Sequence, residues 1–256
     1  MPTTDSLDPD SAKNSVELDR WDLGALIFAM VFPTFVTLVY FQWLQHSQSS
    51  LQQIAYGVGK VLQFGFPIIW VWFRYREKLF RKSTRHESVR ADNLIGIGFG
   101  LLVVVAMFLL YFLLLAPTAT GEQLNEMVKA KIAQTGLDSF WKYLAVGVFY
   151  SLCHSLLEEY YWRWFVFDLM RKYIPTIWAN VISSLGFMAH HVILLGFFFN
   201  WSPWTYVLSA SIAVGGAFWA WQFNRTGKLR VPWFSHMIVD AGIFSLGYFL
   251  VRDLLS

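Results

Sequence analysis

The chain has 256 residues, of which 56% are hydrophobic, 19% are aromatic and only 14% are charged. A soluble globular domain carries about 25% charged residues, so this composition excludes an ordinary water-soluble protein and indicates a membrane protein with aromatic belts. The net charge of +3 is small and the basic residues cluster between hydrophobic segments, which favours a lipid bilayer and not a nucleic acid as partner.

Seven hydrophobic segments each approach the ~20 residues that an α-helix needs to cross the hydrocarbon core. They predict an all-α fold, a polytopic transmembrane helix bundle of about seven to eight spans. The predicted spans are 23–44, 51–73, 93–117, 140–168, 177–199, 204–223 and 231–251. Without a repeat or a linker, residues 23–256 are expected to form a single integral-membrane domain after a polar tail over 1–22, with no cleavable signal peptide.

A polar segment between the third and fourth spans predicts one further helix. Within residues 119–137, Leu124, Met127, Val128 and Ile132 recur at helical spacing. This pattern is typical of an amphipathic helix that lies on the membrane surface.

The basic residues between the spans predict the orientation. Residues 74–90, RYREKLFRKSTRHESVR, contain seven Lys and Arg, and the positive-inside rule places such a loop in the cytoplasm. Threading from this loop puts Arg163, Arg171, Lys172 and the loop 224–230 on the same side. The amino terminus is then expected in the cytoplasm and the carboxyl terminus outside.

Besides Lys60 in the second predicted span, three spans carry ionisable side chains in their interiors, which lipid does not accommodate without a partner or a wet cavity. They are His154, Glu158, Glu159 and Arg163 in the fourth span, His190 and His191 in the fifth, and His236 and Asp240 in the seventh. Because polar groups of a helix bundle face its interior, these side chains are expected to converge on one site. Cys153, the single cysteine, has no possible disulfide partner and is expected to be a small buried hydrophobe.

Helical spacing gives these residues different interpretations. Glu159 and Arg163 are four residues apart, which favours an ion pair between them. Glu158 points about 100° away from Glu159 and shares that arginine poorly. It is therefore either a protonated carboxyl that donates a hydrogen bond between helices, or a catalytic acid or base. His236 and Asp240 are also one turn apart and face the same way.

The same residues are compatible with two kinds of hydrolytic site. A glutamate and a histidine can polarise a water for attack on a carbonyl, while a second histidine donates to the oxygen that becomes negative. Alternatively, Glu158, His191 and His236 could bind Zn²⁺. The sequence has no His-Glu-x-x-His spacing, so metal-free and zinc-dependent mechanisms both stay open.

Three short motifs follow one another on successive spans: EEYYWR at 158–163, FMAHH at 187–191 and HMIVD at 236–240. In this order they resemble the CAAX protease and bacteriocin-processing family of intramembrane endopeptidases, which includes the type II CAAX prenyl endopeptidases. The resemblance covers about residues 140–250, the protease-like core. It implies a glutamate-dependent peptidase that opens toward the cytoplasm, most simply in a bacterial plasma membrane. It also implies a peptide or membrane-protein substrate and favours no metal cofactor.

The resemblance assigns a role to each motif residue. Glu158 is the general base, and His191 helps to hold the water. Glu159 pairs with Arg163 and fixes the helix. Of the remaining histidines, His190 is expected to be a packing hydrogen bonder, with a catalytic role left possible. His154, one turn before Glu158, is a second possible contributor through the protonation of that carboxylate.

The third motif contains one of two departures from the family pattern. His236 and Asp240 are expected to stabilise the oxyanion, but the prenyl endopeptidases use Asn at the second of these positions. An ionised aspartate cannot donate a hydrogen bond, so Asp240 would either donate as a protonated carboxyl or orient His236 by accepting a hydrogen bond. The second departure is Leu195, where the prenyl endopeptidases also carry Asn, and it leaves prenylation of the substrate open.

Two functions other than proteolysis are compatible with the sequence. A catalytically silent membrane scaffold for a partner protein would keep the fold without the chemistry. A proton-coupled transporter would use intramembrane Glu and His as a proton relay, although the sequence shows no inverted repeat.

Overall fold

The structure is a computed structural model that describes residues 19–45, 47–75 and 89–255. Over these ranges the chain forms eight helices and no strand, which confirms the predicted all-α bundle. In chain order they are α1 Arg20–Leu38, α2 Ser49–Tyr75, α3 Val89–Leu109, α4 Ala119–Thr135, α5 over 140–170, α6 Thr176–Phe199, α7 Pro203–Thr226 and α8 Arg230–Val251. π-Helical turns extend α1 over Val39–Trp43 and α3 over Leu110–Leu115.

The long helix α5 changes its winding along its length. It is α-helical over Phe140–Phe149, Ser155–Glu159 and Asp168–Met170, and π-helical over Tyr150–His154 and Tyr160–Phe167. π-Helical turns are rare, often occur at functional sites and change the direction of the side chains that follow them. The short α-helical stretch between the two turns carries Glu158.

Within the described residues, five helical segments are long and apolar enough to cross a membrane, and they coincide with five of the seven predicted spans. They are Arg20–Trp43, Ser50–Tyr75, Arg90–Leu115, Thr176–Phe199 and Arg230–Leu254. The other two predicted spans, 140–168 and 204–223, are the helices α5 and α7. Both are long enough, but α5 contains several ionisable residues and α7 several polar ones, so their crossing of the membrane stays a prediction.

Local capping chemistry explains where several helices begin and end. The Thr118 hydroxyl accepts a hydrogen bond from the Gly121 backbone at the start of α4. The predicted amphipathic segment is thus a helix, and it ends at Gly136, which has a φ of 72°. Gly227, with a φ of 65°, ends α7 in the same left-handed conformation, which glycine adopts without a steric penalty.

The bundle exposes apolar side chains and buries polar ones. Val61 and Leu113 are 73% and 67% exposed, whereas Glu159 is fully buried. This distribution suits a lipid environment outside and a polar interior. The expectation for Cys153 is wrong: it is exposed, because it lies on the outer face of α5 next to the exposed Leu152.

The end of α2, the residues after α5 and the end of α7, which the sequence predicts to lie on the same side of the membrane, lie close together in the structure. Tyr75 at the end of α2 and Tyr173 after α5 both donate hydrogen bonds to the buried carboxylate of Asp22 in α1. Burial, and then the bond to Asp22, raises the pKa of Tyr173 to about 12, so its hydroxyl stays a donor at neutral pH. Arg171 donates to an amide oxygen of α7 at 2.8 Å. Most of the predicted basic loop, 76–88, lies outside the described residues.

Candidate active site

Side chains from three helices surround the carboxylate of Glu158, which is only 3% exposed. Nδ1 of His154 on the same helix lies 3.9 Å from a carboxylate oxygen. Nε2 of His190 on α6 lies 3.5 Å away, and Nε2 of His236 on α8 lies 3.7 Å away. The structure therefore brings the fourth, fifth and seventh predicted spans together at this carboxylate.

The position of His190 differs from the expected one. Its Nε2 approaches Glu158 more closely than the nitrogens of His154 and His236 do. Its closest polar contact is the 3.5 Å approach of Nε2 to the carboxylate of Glu158. Trp162 is parallel to the imidazole, at 5.9 Å and 4°, and keeps it turned toward Glu158.

His191 has one nitrogen engaged and one available. Its Nδ1 lies 2.9 Å from the carbonyl oxygen of Phe187. Because a carbonyl only accepts, Nδ1 carries the proton and Nε2 of the neutral ring is an acceptor. One ring nitrogen of His191 lies within 4.8 Å of a Glu158 carboxylate oxygen, and an acceptor beside a carboxylate suits a residue that holds a water molecule.

The carboxylate of Glu159 joins two further groups. Its Oε2 lies 3.2 Å from Nε of Arg163, which is the predicted ion pair, and its Oε1 accepts a hydrogen bond from Nδ1 of His236 at 2.8 Å. Arg163 is buried within the bundle and donates to the carbonyl of Gly216 in α7 at 3.2 Å. Its guanidinium also lies 4.8 Å from the ring of Phe187 in α6. This ion pair therefore connects four helices.

Asp240 has a less direct contact with His236 than the sequence predicts. Its Oδ1 lies 3.6 Å from Nε2, the nitrogen that also faces Glu158. The nitrogen on the other side of the ring is held by Glu159, and Trp219 stacks on the ring at 4.1 Å and 13°. Glu159 and Trp219 therefore hold His236 at closer range than Asp240 does.

Glu158, His190 and His191 are the only group of metal-type ligands within the described ranges, with donor atoms within 4.8 Å of one another. This set differs from the sequence-based alternative because His190 takes the place of His236, whose Nδ1 is occupied by Glu159. Two histidines and a carboxylate form the ligand set of many catalytic zinc sites. The residues present would thus fit such an ion.

One family model matches the chain, that of the type II CAAX prenyl endopeptidase Rce1-like proteins, over residues 140–242. The matched segment supplies Glu158 and every histidine around it. Residues 140–242 are thus similar to the Rce1-like family. This family is one of intramembrane proteases, and the assignment confirms the resemblance drawn from the three motifs. Neither a curated protein nor a solved structure matches the chain significantly.

A residue outside the Rce1-like segment also belongs to the site. The ammonium group of Lys60 on α2 lies 5.4 Å from the centroids of the Tyr56 and Phe64 rings, and the Phe64 ring contacts the ring of His154 edge-on at 6.0 Å. The sequence motifs do not indicate this residue. Only the presence of a lysine within an otherwise apolar span could have indicated it. A charged side chain there is costly unless it has a partner or faces a wet cavity.

Proposed function

We propose that this protein is an intramembrane endopeptidase in which Glu158 activates a water molecule to hydrolyse a peptide bond near the cytoplasmic membrane surface. The observation that carries the proposal is a buried carboxylate with three imidazole nitrogens within 3.9 Å. A purely structural carboxylate would be expected to pair with the available arginine. Arg163 is paired instead with the neighbouring Glu159, which leaves Glu158 for chemistry.

In the proposed reaction, a water lies between Glu158 and the acceptor nitrogen of His191. Glu158 takes one proton as the water oxygen attacks the carbonyl carbon of the substrate. The carbonyl oxygen becomes negative and accepts a hydrogen bond from Nε2 of His236 when that nitrogen is protonated. Glu158 then passes its proton to the leaving nitrogen, and the carbon–nitrogen bond breaks.

Other residues of the site hold this arrangement in place. Glu159 fixes the ring of His236 through Nδ1, and Arg163 holds Glu159 in turn. Such preorganisation matters because donors aimed at the developing charge stabilise a transition state only when they are already oriented. We assign His190 a direct role beside Glu158 because its Nε2 lies 3.5 Å from that carboxylate.

The proposed reaction needs no metal ion. If zinc binds, Glu158, His190 and His191 are the residues that would hold it, and it would supply Lewis-acid activation of the water. We propose the metal-free reaction because the carboxylate and a neutral imidazole already provide the acceptors that a water requires. Activity of the purified protein should therefore persist after exhaustive chelation. Loss of activity that only Zn²⁺ restores would contradict this part of the proposal.

The termini of membrane proteins in living cells test the proposed function. Cells that produce the wild-type protein should contain new peptide termini that are missing in cells with Glu158→Gln, a change that keeps the size of the side chain. Glu126→Gln, which alters an exposed carboxylate on α4, is the matched control and should leave the termini unchanged. Identical termini with wild type and Glu158→Gln would overturn the proposal.

A further inference from the structure

A cavity of about 340 Å³ lies between the end of α3, the amphipathic helix α4 and the end of α8. It shares no residue with the candidate active site, and its volume is in the range of sites that bind small molecules. Leu124 of α4 packs against an apolar cluster that includes Leu115 at the end of α3 and Phe199 at the end of α6. The cavity therefore lies where apolar spans end, which is the level of the polar headgroups in a bilayer.

Three charged side chains line this cavity, and one of them lacks a direct partner. Lys129 of α4 donates a hydrogen bond to the carboxylate of Asp253 at 2.7 Å, so these two charges compensate each other. Arg252 is exposed, and among the described residues no carboxylate lies within 4.0 Å of its guanidinium and no group accepts a hydrogen bond from it. The N–H donors of Arg252 are therefore available to an anion in the cavity.

A neutral donor lies in the same cavity. The hydroxyl of Tyr111 on α3 donates to Oδ1 of Asn125 on α4 at 2.8 Å, which orients the amide. The amide nitrogen of Asn125 has no hydrogen-bond acceptor within the part of the chain that the structure describes. A planar guanidinium binds phosphate oxygens in pairs, and an amide can donate to a further oxygen. This donor set suits a phosphate group.

The remaining wall of the cavity is aromatic and faces the outside of the bundle. Phe112 on α3 and Phe249 on α8 are 48% and 47% exposed, and their rings meet edge to face at 6.1 Å. The guanidinium of Arg252 lies 6.0 Å from the centroid of the Phe249 ring. Phe108, one turn before Phe112, extends this surface along α3 toward the middle of the span. A ligand that uses both walls needs an anionic head and long apolar chains.

We propose that this cavity binds the headgroup of an anionic phospholipid. The phosphodiester would accept hydrogen bonds from Arg252 and Asn125, and the acyl chains would lie along Phe112 and Phe249. A headgroup with one net negative charge compensates Arg252, whereas a zwitterionic headgroup would bring another cation beside Arg252 and Lys129. The bound lipid would connect α3, α4 and α8 at this end of the bundle, whether or not the protein is a peptidase.

Retention of defined lipids tests this inference. The purified full chain is stripped of lipid in detergent and mixed with equal amounts of phosphatidylglycerol and phosphatidylcholine that have the same acyl chains. Native mass spectrometry then counts the lipid molecules that stay bound. Wild type should retain one phosphatidylglycerol roughly tenfold more often than phosphatidylcholine, because the anionic headgroup adds a charge that Arg252 lacks. Arg252→Gln should retain the two lipids equally.

The matched control is another exposed arginine beside an aromatic ring. Arg20 lies 5.5 Å from the centroid of the Trp21 ring but does not line the cavity, so Arg20→Gln should keep the wild-type preference. Equal retention of both lipids by wild type would overturn the inference, and so would an unchanged preference in Arg252→Gln. Soluble glycerol phosphate that binds as tightly as phosphatidylglycerol would show that the acyl chains play no part, and would overturn the assignment to a lipid.

Discussion

Two adjacent carboxylates, Glu158 and Glu159, have different surroundings in this bundle. The first faces histidines of α6 and α8, and the second is held by Arg163 and by Nδ1 of His236. The difference arises because successive side chains of a helix point about 100° apart. One position is therefore suited to chemistry and the other to support of the structure.

The buried ion pair leads to a prediction about stability. Glu159→Gln or Arg163→Met alone should lower the free energy of unfolding by about 3–5 kcal/mol, because each leaves an uncompensated buried charge. The double substitution should cost less than the sum of the two. Thermal or chemical unfolding of the purified variants in detergent measures these differences. Additive losses would show that the two side chains do not interact energetically.

The place of His190 leads to a prediction about activity. His190→Phe keeps an aromatic ring against Trp162 but removes the ring nitrogens, including the Nε2 that faces Glu158. We expect turnover to fall by about 10²-fold or more with little change in stability, because the effect is on proton transfer and not on packing. Steady-state cleavage and an unfolding curve on the same preparation check this. Wild-type turnover in His190→Phe would show that His190 serves only in packing.

Only part of this site could be predicted from the residues. The pairing of Glu159 with Arg163 follows from their spacing on one helix. The closeness of His190 to Glu158 cannot be inferred from spacing, because it depends on how α6 is rotated relative to α5. Likewise, Lys60 lies about one hundred residues before the motifs, and only the packing of α2 brings it to the site.

At the scale of elements, α3 and α8 approach closely at a glycine. A Cβ on Gly100 would lie 2.9 Å from the carbonyl oxygen of Ser235 and 3.1 Å from Cβ of Ile238, whereas a Cβ on Gly98 would meet nothing within 4 Å. The contact matters for the site because Ser235 precedes His236. The close approach of two helices thus sets the position of a proposed oxyanion donor.

The two glycines of α3 form a matched pair of substitutions. Gly100→Ala should lower the free energy of unfolding by about 1–3 kcal/mol through overpacking, and should reduce turnover by displacing His236. Gly98→Ala should be neutral or stabilising by up to about 1 kcal/mol, because alanine favours the helix. Unfolding and cleavage assays on both variants test this. Equal behaviour of the two would contradict the described contact between α3 and α8.

The helix α5 was predicted from the sequence, but the π-helical turns within it were not. Hydrophobicity predicts a helix over 140–168, and the structure has one over 140–170. Its π-helical turns over Tyr150–His154 and Tyr160–Phe167 could not be predicted, because no simple residue pattern specifies them. These turns flank Glu158 and affect the direction of the side chains around it.

At the scale of the whole molecule, polarity is distributed in the opposite way to that of a soluble protein. Apolar side chains cover the outside of the bundle, and ionisable ones meet in its interior. The hydrophobic segments predict this class of fold, because a segment of about 20 apolar residues is typical of a membrane-spanning helix. The contribution of α2 to the site could not be predicted in this way, because the three motifs lie only on α5, α6 and α8.

Hydrolysis of peptide bonds through Glu158 is the activity that we propose for this bundle. The most direct measurement is turnover by the purified full chain in lipid vesicles, with peptides that contain the cellular cleavage sites. Wild type should cleave them, and Glu158→Gln should be slower by about 10²- to 10⁴-fold while its unfolding curve stays unchanged. A folded Glu158→Gln variant that cleaves at the wild-type rate would contradict the account.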